Sequence, residues 1–443
     1  MSNQALRPLV RVIGGGLAGS EAAYQLAKRG KSVELCEMRI GGACTPAHKT
    51  SDLGELVCSN SLKSTDPVTS SGLLKKELIL LGSFMLEAAY ETSVPAGGAL
   101  AVDRGLFARK VTGTISSLEN VNLNEREVKE ISPGIPTIVA SGPLTSADLS
   151  EHLGHILGEE NLYFYDAISP ILTGESIDMT KAYLGSRYGK GGDDYLNCAM
   201  DTTGYDRFYE ALVSAELTPA RDFEEEKYFD ACLPIEVIAG RGRDTLRFGP
   251  LRPVGLNLPG SGRRAHAVVQ LRREDSEGTM WNMVGFQTRL SRSEQANVFR
   301  TIPGLENASF HRYGSIHRNT FVNTPAALTK YFQPRKPGWE EVLLAGQITG
   351  VEGYVESIAS GLLAAVNLSR IIDGREPVLP PETTMTGALL RYTTDADPAR
   401  FQPMNVNFGL LPHPGSGRGR DKKKKQAERA LVDMESWVSE VIG

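Results

Sequence analysis

From Val10 to Glu21 the chain reads Val-Arg-Val-Ile-Gly-Gly-Gly-Leu-Ala-Gly-Ser-Glu, with glycines at 14, 16 and 19 directly behind an apolar run. That spacing suits a phosphate-bearing dinucleotide. Gly14 permits a tight turn, Gly16 lets backbone approach a pyrophosphate, and Gly19 lets a helix pack closely on a strand. Gly14, Gly15, Gly16, Leu17, Ala18 and Gly19 are therefore the expected cradle. Glu37 follows at the distance where a carboxylate accepts hydrogen bonds from a ribose. Two cysteines differ in their surroundings. Cys58 precedes Ser59, Asn60 and Ser61, polar neighbours able to hydrogen-bond a thiolate. Cys232 stands in apolar company ahead of Pro234 and, on its own residues, reads as a buried structural thiol.

The elements that must position these groups follow from the pattern around them. Leu9 to Ile13 is expected as a strand, and a helix should run from the glycine turn to Arg29, with Gly30 as its stop. A second strand is expected near Ser32 to Cys36. The order strand, glycines, helix, strand, acid is far more specific than the glycines alone. NAD and FAD share this fingerprint, and two further segments favour FAD. Glu341-Val-Leu-Leu-Ala-Gly346-Gln347 reads as a strand ending in small residues, followed by a helix whose N-terminus can face a flavin. Gln347 stands where an acid is usual. Thr137-Ile-Val-Ala-Ser-Gly142 reads as the strand that returns the chain to the cofactor. The fold class expected is α/β, a Rossmann-type FAD domain of the glutathione-reductase kind, discontinuous, with an inserted α+β substrate domain. Its parts are residues 1–165 and 331–443, around an insertion at 166–330.

A length of 443 residues is too long for one ordinary core. The net charge of −5 neither demands nor forbids an anionic partner, so a nucleic-acid site would have to be a local patch. One such patch is available: Arg241, Arg243, Arg247, Arg252, Arg263, Arg264, Arg272 and Arg273 stand against Asp244 alone. Lys422 to Lys425 form a second basic run, in a C-terminal segment expected to be helical. The five cysteines are scattered and include no C-x-x-C, which argues against a zinc site or a dithiol centre. Cys36, Cys44 and Cys198 read as structural. No stretch is expected to approach a membrane span, and Leu73 to Ala89, broken by Lys75, Lys76, Glu77 and Glu87, reads as one amphipathic helix. The expected location is cytoplasmic, with no membrane and no obligate protein partner.

Several motifs along almost the whole chain resemble one family. They include Thr45-Pro-Ala-His48, Val57-Cys58-Ser-Asn-Ser-Leu62, Pro95 to Arg104, Asp194-Tyr-Leu-Asn-Cys198, Phe229-Asp-Ala-Cys232-Leu-Pro234, His317-Arg-Asn-Thr320 and Gly350-Val-Glu-Gly-Tyr354. The family is that of the bacterial folate- and FAD-dependent tRNA uracil-5-methyltransferases, relatives of the GidA flavoproteins. The segments at Cys58 and Cys232 separate it from GidA itself.

The resemblance implies formation of 5-methyluridine at the T-loop uridine, position 54 of tRNA. Methylenetetrahydrofolate is the implied carbon donor, reduced FAD the hydride donor, and NADPH or NADH the reductant. Uracil C5 is a poor nucleophile until a thiolate adds at C6, so one nucleophilic cysteine and one acid/base group are needed. The resemblance places functional cysteines at both Cys58 and Cys232, and which of them attacks uracil stays open. It implies that the His317 ring holds the pterin against the flavin, with Arg318 and Tyr354 lining the same pocket. The bland reading of His317 is a hydrogen-bonded histidine at a strand end. The same chemistry on a ribosomal RNA uridine is not separable by sequence. A pyridine-nucleotide oxidoreductase of a small molecule lacks support, with neither a C-x-x-C nor a second G-x-G-x-x-G. A non-catalytic flavin-dependent RNA binder is the remaining alternative.

Overall fold

The computed structural model describes residues 9–42, 45, 47–158, 162–187, 192–218 and 233–441, without the side chains of 162–166 and 316–318. Strand β1 (Leu9–Ile13) runs into the glycine turn, helix α1 (Leu17–Lys28) follows, and strand β2 (Ser32–Cys36) returns parallel to β1. The glycines are required by contact. Gly14 has φ +99°, and a Cβ there would lie 2.5 Å from the Ala140 carbonyl oxygen. A Cβ on Gly19 would lie 1.8 Å from the Gly14 oxygen, so α1 can seat on the turn only without a side chain.

Three further strands complete a five-stranded, wholly parallel sheet, in the order Val342–Leu344, Thr137–Val139, β1, β2, Val121–Asn124. Thr137–Val139 and Val342–Leu344 are buried at every residue, as strands of a parallel sheet with both faces covered should be. The helix Tyr354–Ile372 packs against α1 at backbone contact, since a Cβ on Gly361 would come within 2.1 Å of the Ala18 oxygen. This helix corrects one expectation. By length and composition it could cross a membrane, but 83% of its most apolar window is buried inside the protein, and it serves as a core helix.

A second correction concerns Leu73 to Ala89, which is two helices, α2 (Ser70–Leu80) and α3 (Phe84–Glu91). Gly82, at φ +73°, ends the first, and the Ser83 hydroxyl accepts the Leu86 N–H to start the second. Two of its charges point inward. Lys75 Nζ donates to the carbonyls of Ser64 and Ser71 at 2.9 and 3.0 Å. Glu77 accepts from the Met385 and Thr386 N–H groups and the Thr386 hydroxyl, at 2.6 to 2.8 Å, at the start of helix Met385–Asp395. A carboxylate meeting a helix N-terminus is well placed electrostatically, yet burial still pushes Glu77 up to about 7. Glu21, on α1, is likewise raised by burial to about 7, against hydrogen bonds from Gln25, Met85 and Ser83.

A six-stranded antiparallel sheet occupies the middle of the chain, in the order 182–185, 195–200, 267–273, 280–283, 171–173, 310–312. The strand-like runs expected at Ala265 to Leu271 and Met280 to Phe286 fall at Ala267–Arg273 and Met280–Met283. This sheet has its own apolar core, built around Phe208, Phe286, Phe299 and Leu271, separate from the core beneath the parallel sheet. The chain enters and leaves it through a two-stranded antiparallel ribbon, Leu162–Ile168 with Ser315–Phe321.

Candidate active site

The parallel sheet presents its glycine turn to a cavity of about 1010 Å³. Gly14, Gly16, Leu17, Ala18, Glu37, Gly346 and Gln347 line it. Gly15 and Gly19 act from behind: a Cβ on Gly15 would strike Leu53 at 2.4 Å. At Gly16 the Cβ direction is open, with nothing within 4 Å. Helix α1 begins there with no side-chain cap, so its first N–H groups remain available to an anion. An open glycine and an uncapped helix start fit the pyrophosphate of a dinucleotide.

Glu37 sits at the end of β2 with both oxygens engaged. Oε2 accepts the Gly15 N–H at 2.7 Å, and Oε1 accepts the Arg39 N–H and Nε at 2.9 and 3.0 Å. Burial pushes this carboxyl upward, but the Arg39 guanidinium and these hydrogen bonds outweigh it and hold it below the ordinary range. It is an anion. A carboxylate offers about four acceptor directions, so room remains for a ribose hydroxyl. His48 lines the same cavity, with Nδ1 2.6 Å from the Thr45 hydroxyl. Burial, then the positive charge of Arg39 and Arg312, lowers its ring to about 4, which leaves it neutral near pH 7.

A second cavity, of about 1090 Å³, opens beside the first and contains Cys58, Ser59, Ser61, Lys63, Asn319, Glu352 and Glu356. The two cavities share a wall made by Val57, Pro143, Leu144, Gln347 and Tyr354. Gln347, where an acid was usual, donates its amide N–H to Glu352 at 2.8 Å, so a carboxylate stands one step further along.

The segment around Cys58 is held residue by residue. Arg104 donates to the Leu56 carbonyl, and Arg312 donates to the Val57 carbonyl at 3.0 Å. The Tyr354 hydroxyl accepts the N–H groups of both Cys58 and Ser59, at 2.9 and 3.0 Å. Arg272 reaches from the antiparallel sheet to donate to the Asn60 and Ser59 side-chain oxygens, each at 2.7 Å. Asn60 donates onward to the carbonyls of Val102 and Arg273. Arg104 is itself fixed by a bidentate pair with the buried Glu274, at 2.8 and 3.0 Å. Cys58 thus lies on the seam between the two sheets. It is partly exposed, with the charges of Arg104, Arg272 and Arg312 in electrostatic reach. A chain clamped on both sides of one partly exposed thiol is the arrangement a positioned nucleophile needs.

Opposite Cys58, Lys63 adopts φ +65°, a region that non-glycine residues seldom occupy and that clusters at functional sites. Its Nζ donates to Asn405 at 2.7 Å and lies 3.8 Å from the buried Glu356. Burial, and then the neighbouring Cys58, raises the Tyr354 phenol, so it stays a neutral acceptor for the two amides.

The expected site residues divide as follows. Cys58, Tyr354 and Gln347 come together, as do the glycine cradle and Glu37. His317 and Arg318 lie on the strand Ser315–Phe321, in register with Asp166 and Tyr165, and their side chains fall outside the described residues. The next residue, Asn319, lines the second cavity. Cys232 and Cys44 lie outside the described residues. Cys36 and Cys198 are buried. Arg272, Arg312, Glu352, His48 and Lys63 were not singled out as site residues. Arg272 stood in the arginine cluster, and His48 and Glu352 in motifs already quoted; Arg312 and Lys63 gave no signal.

A parallel sheet, a glycine turn into an uncapped helix and an acid closing the next strand define a dinucleotide-binding α/β protein. Residues 9–376 match the family model described as glucose inhibited division protein A, and the chain belongs to that family. Its fold is that of Aquifex aeolicus GidA, with a TM-score of 0.72 over 100% of this chain and 74% of that one at 17% identity. Far higher identity links it to one branch. It is 53% identical over 429 residues to the methylenetetrahydrofolate--tRNA-(uracil-5-)-methyltransferase TrmFO of Natranaerobius thermophilus, covering 96% of this chain and 98% of that protein. To the protein of the same name from Geobacter sulfurreducens it is 52% identical over 434 residues, covering 98% and 99%.

Proposed function

We propose that this chain is a folate-dependent tRNA (uracil-5-)-methyltransferase, with methylenetetrahydrofolate as carbon donor and FAD as its resident cofactor. The observation that carries the reading is the clamped Cys58 at the edge of a second cavity that shares a wall with the dinucleotide groove. The similarity to relatives named for this activity supports it. Gly14, Gly15, Gly16, Leu17, Ala18 and Gly19 would hold the cofactor's pyrophosphate, Glu37 its ribose, and Gly346 and Gln347 the end toward the second cavity. Bound there, FAD supplies the hydride that completes the methyl group, and NADPH or NADH restores it.

The chain's own residues prepare the other half of the reaction. Tyr354 and the arginines hold the Cys58 backbone still, so that its sulfur is one of two thiols available to add to uracil C6 or to handle protons; Cys232 is the other. Glu352 and Glu356 are buried carboxylates that line the same cavity. His317 and Arg318 are assigned to the pterin on their strand beside Asn319. The residues of the antiparallel sheet, 166–330 in the proposed division, form the substrate-facing part, and the target is the T-loop uridine at position 54 of tRNA. Both tRNA and reduced folate place the enzyme in the cytoplasm.

The test is to incubate purified yellow protein with unmodified tRNA transcript, NADPH and methylenetetrahydrofolate labelled in its methylene, and then digest the RNA to nucleosides. Label is expected in 5-methyluridine, and its yield should fall at least about a thousandfold in Cys58→Ala and Cys232→Ala proteins that still hold flavin. Label in ribosomal RNA alone would move the substrate. No label in either RNA, with flavin bound, would overturn the reading.

A further inference from the structure

Far from the two cavities, the antiparallel sheet carries an open groove of about 1260 Å³. Its lining holds Arg247, Arg252, Arg263 and Arg264 against one carboxylate, Asp201, and that carboxylate is already occupied as the cap of helix Thr202–Ser214. Arg263 and Arg264 are exposed, and among the described residues neither side chain has a hydrogen-bond or ion-pair partner. They sit on a hairpin loop that is fixed at its base. Leu258 N–H donates to the Arg263 carbonyl, Ala265 N–H donates to that of Leu256, and Leu256 and Ala265 are buried beside Val268 and Ala199. Arg247 is held by its Nε bond to the His266 carbonyl and by an ion pair with Asp244, so its charge is partly compensated. Phe248, at the rim, is 72% exposed, the most exposed large apolar side chain of the described residues. Two unpartnered guanidiniums on a loop fixed at its base, beside a bare aromatic ring, match a nucleic-acid backbone with an unpaired base to stack.

The groove is joined to the candidate active site by one strand. His266 borders the groove, the strand Ala267–Arg273 starts next to it, and Arg272 at its far end holds Ser59 and Asn60 beside Cys58. Six residues of extended chain put the two ends about 20 Å apart. That span is too long for a single nucleotide and suits a folded RNA with one base in the second cavity.

We infer that this groove binds the phosphate backbone of the RNA substrate at a distance from the reacting uridine, with Arg263 and Arg264 as its principal contacts. The inference rests on the proposed activity and assigns the site that activity leaves open. Phosphate contacts set register and affinity without reading sequence, and each releases counterions.

The experiment measures Kd of the flavin-loaded protein for unmodified tRNA transcript across a salt series, for wild type, Arg263→Ala/Arg264→Ala and Lys423→Ala/Lys424→Ala. Flavin absorbance and Tm establish that each variant is folded. The first pair should bind about tenfold or more weakly, with the log Kd against log salt slope reduced by about 1 per arginine. Phe248→Ala should weaken binding with the slope unchanged, as lost stacking requires. Wild-type affinity and slope in the arginine pair would overturn the inference, as would a loss confined to the lysine pair, which would put the RNA on the C-terminal helix. Wild-type protein that methylates tRNA while the arginine pair binds normally would sink this inference alone. Wild-type protein that neither binds nor methylates tRNA would sink the proposed activity and this inference together.

Discussion

The two adjoining cavities are built on different principles. The dinucleotide groove is a backbone construction: its shape comes from glycines that exclude side chains and from the bare start of α1. The Cys58 cavity is a side-chain construction, in which Arg104, Arg272, Arg312 and Tyr354 converge from four distant stretches of sequence on five consecutive residues. A backbone site tolerates no added atoms but needs few partners. A side-chain site depends on long-range pairings, any one of which can be lost while the fold persists.

Substitutions can break this contrast. The largest effect should come from Gly19→Ala, whose methyl would lie 1.8 Å from the Gly14 oxygen. It is expected to yield protein without flavin and largely unfolded, measured by the 450 nm absorbance and circular dichroism. A soluble, yellow Gly19→Ala protein would show that the turn is not the rigid seat described here. Tyr354→Phe comes next. It removes the acceptor of the partly buried Cys58 and Ser59 N–H groups, each bond contributing about 0.5–1.5 kcal/mol, and should lower kcat for methyl transfer about 10- to 100-fold with flavin retained. Unchanged kcat would mean the thiol does not need its clamp.

Gly16→Ala sharpens the comparison, because nothing of the protein lies within 4 Å of the new methyl. Its Tm without flavin should match wild type, while flavin affinity falls about tenfold or more, by the steric loss of close backbone approach. An equal loss of apoprotein stability would show that Gly16 serves the fold, as Gly19 does.

The smallest effect is one of pH. Glu21 and Glu77 are raised from 4.5 to about 7 by burial. The folded state therefore binds protons more tightly than the unfolded chain. The stability they contribute is fully present below about pH 4.5 and is lost as pH rises through about 7, by on the order of 3 kcal/mol each at most. Urea denaturation should show this decline between pH 5 and 8, and Glu77→Gln should flatten it whatever its effect on overall stability. Identical slopes in wild type and variant would remove Glu77 from the account.

The same contrast explains what could be read from the residues. Strands Leu9–Ile13 and Ser32–Cys36 lie where the pattern put them, because a glycine turn, its helix and the next strand are local in sequence. The cradle and Glu37 were legible for that reason. The clamp around Cys58 was not, since nothing at position 58 indicates that Arg272 or Arg312 lies nearby. Its polar neighbours and the resemblance of whole motifs pointed to the cysteine, but not to what holds it. The inward turn of Lys75 and Glu77 was missed because charges read as solvent-facing when their partners, Ser64 and Thr386, lie elsewhere in the chain. Lys63 gave no signal at all: its partners Asn405 and Glu356 lie far away in sequence, and its positive φ leaves no mark on the residue type.

The shared wall has a thermodynamic consequence. Gln347 and Tyr354 face both cavities, and Tyr354 is also the first residue of the buried helix that packs on α1. An occupant of the dinucleotide groove that moves either side chain changes the wall that an occupant of the second cavity meets. Where it does, the two binding equilibria are linked, and by reciprocity each ligand changes the affinity of the other by the same factor.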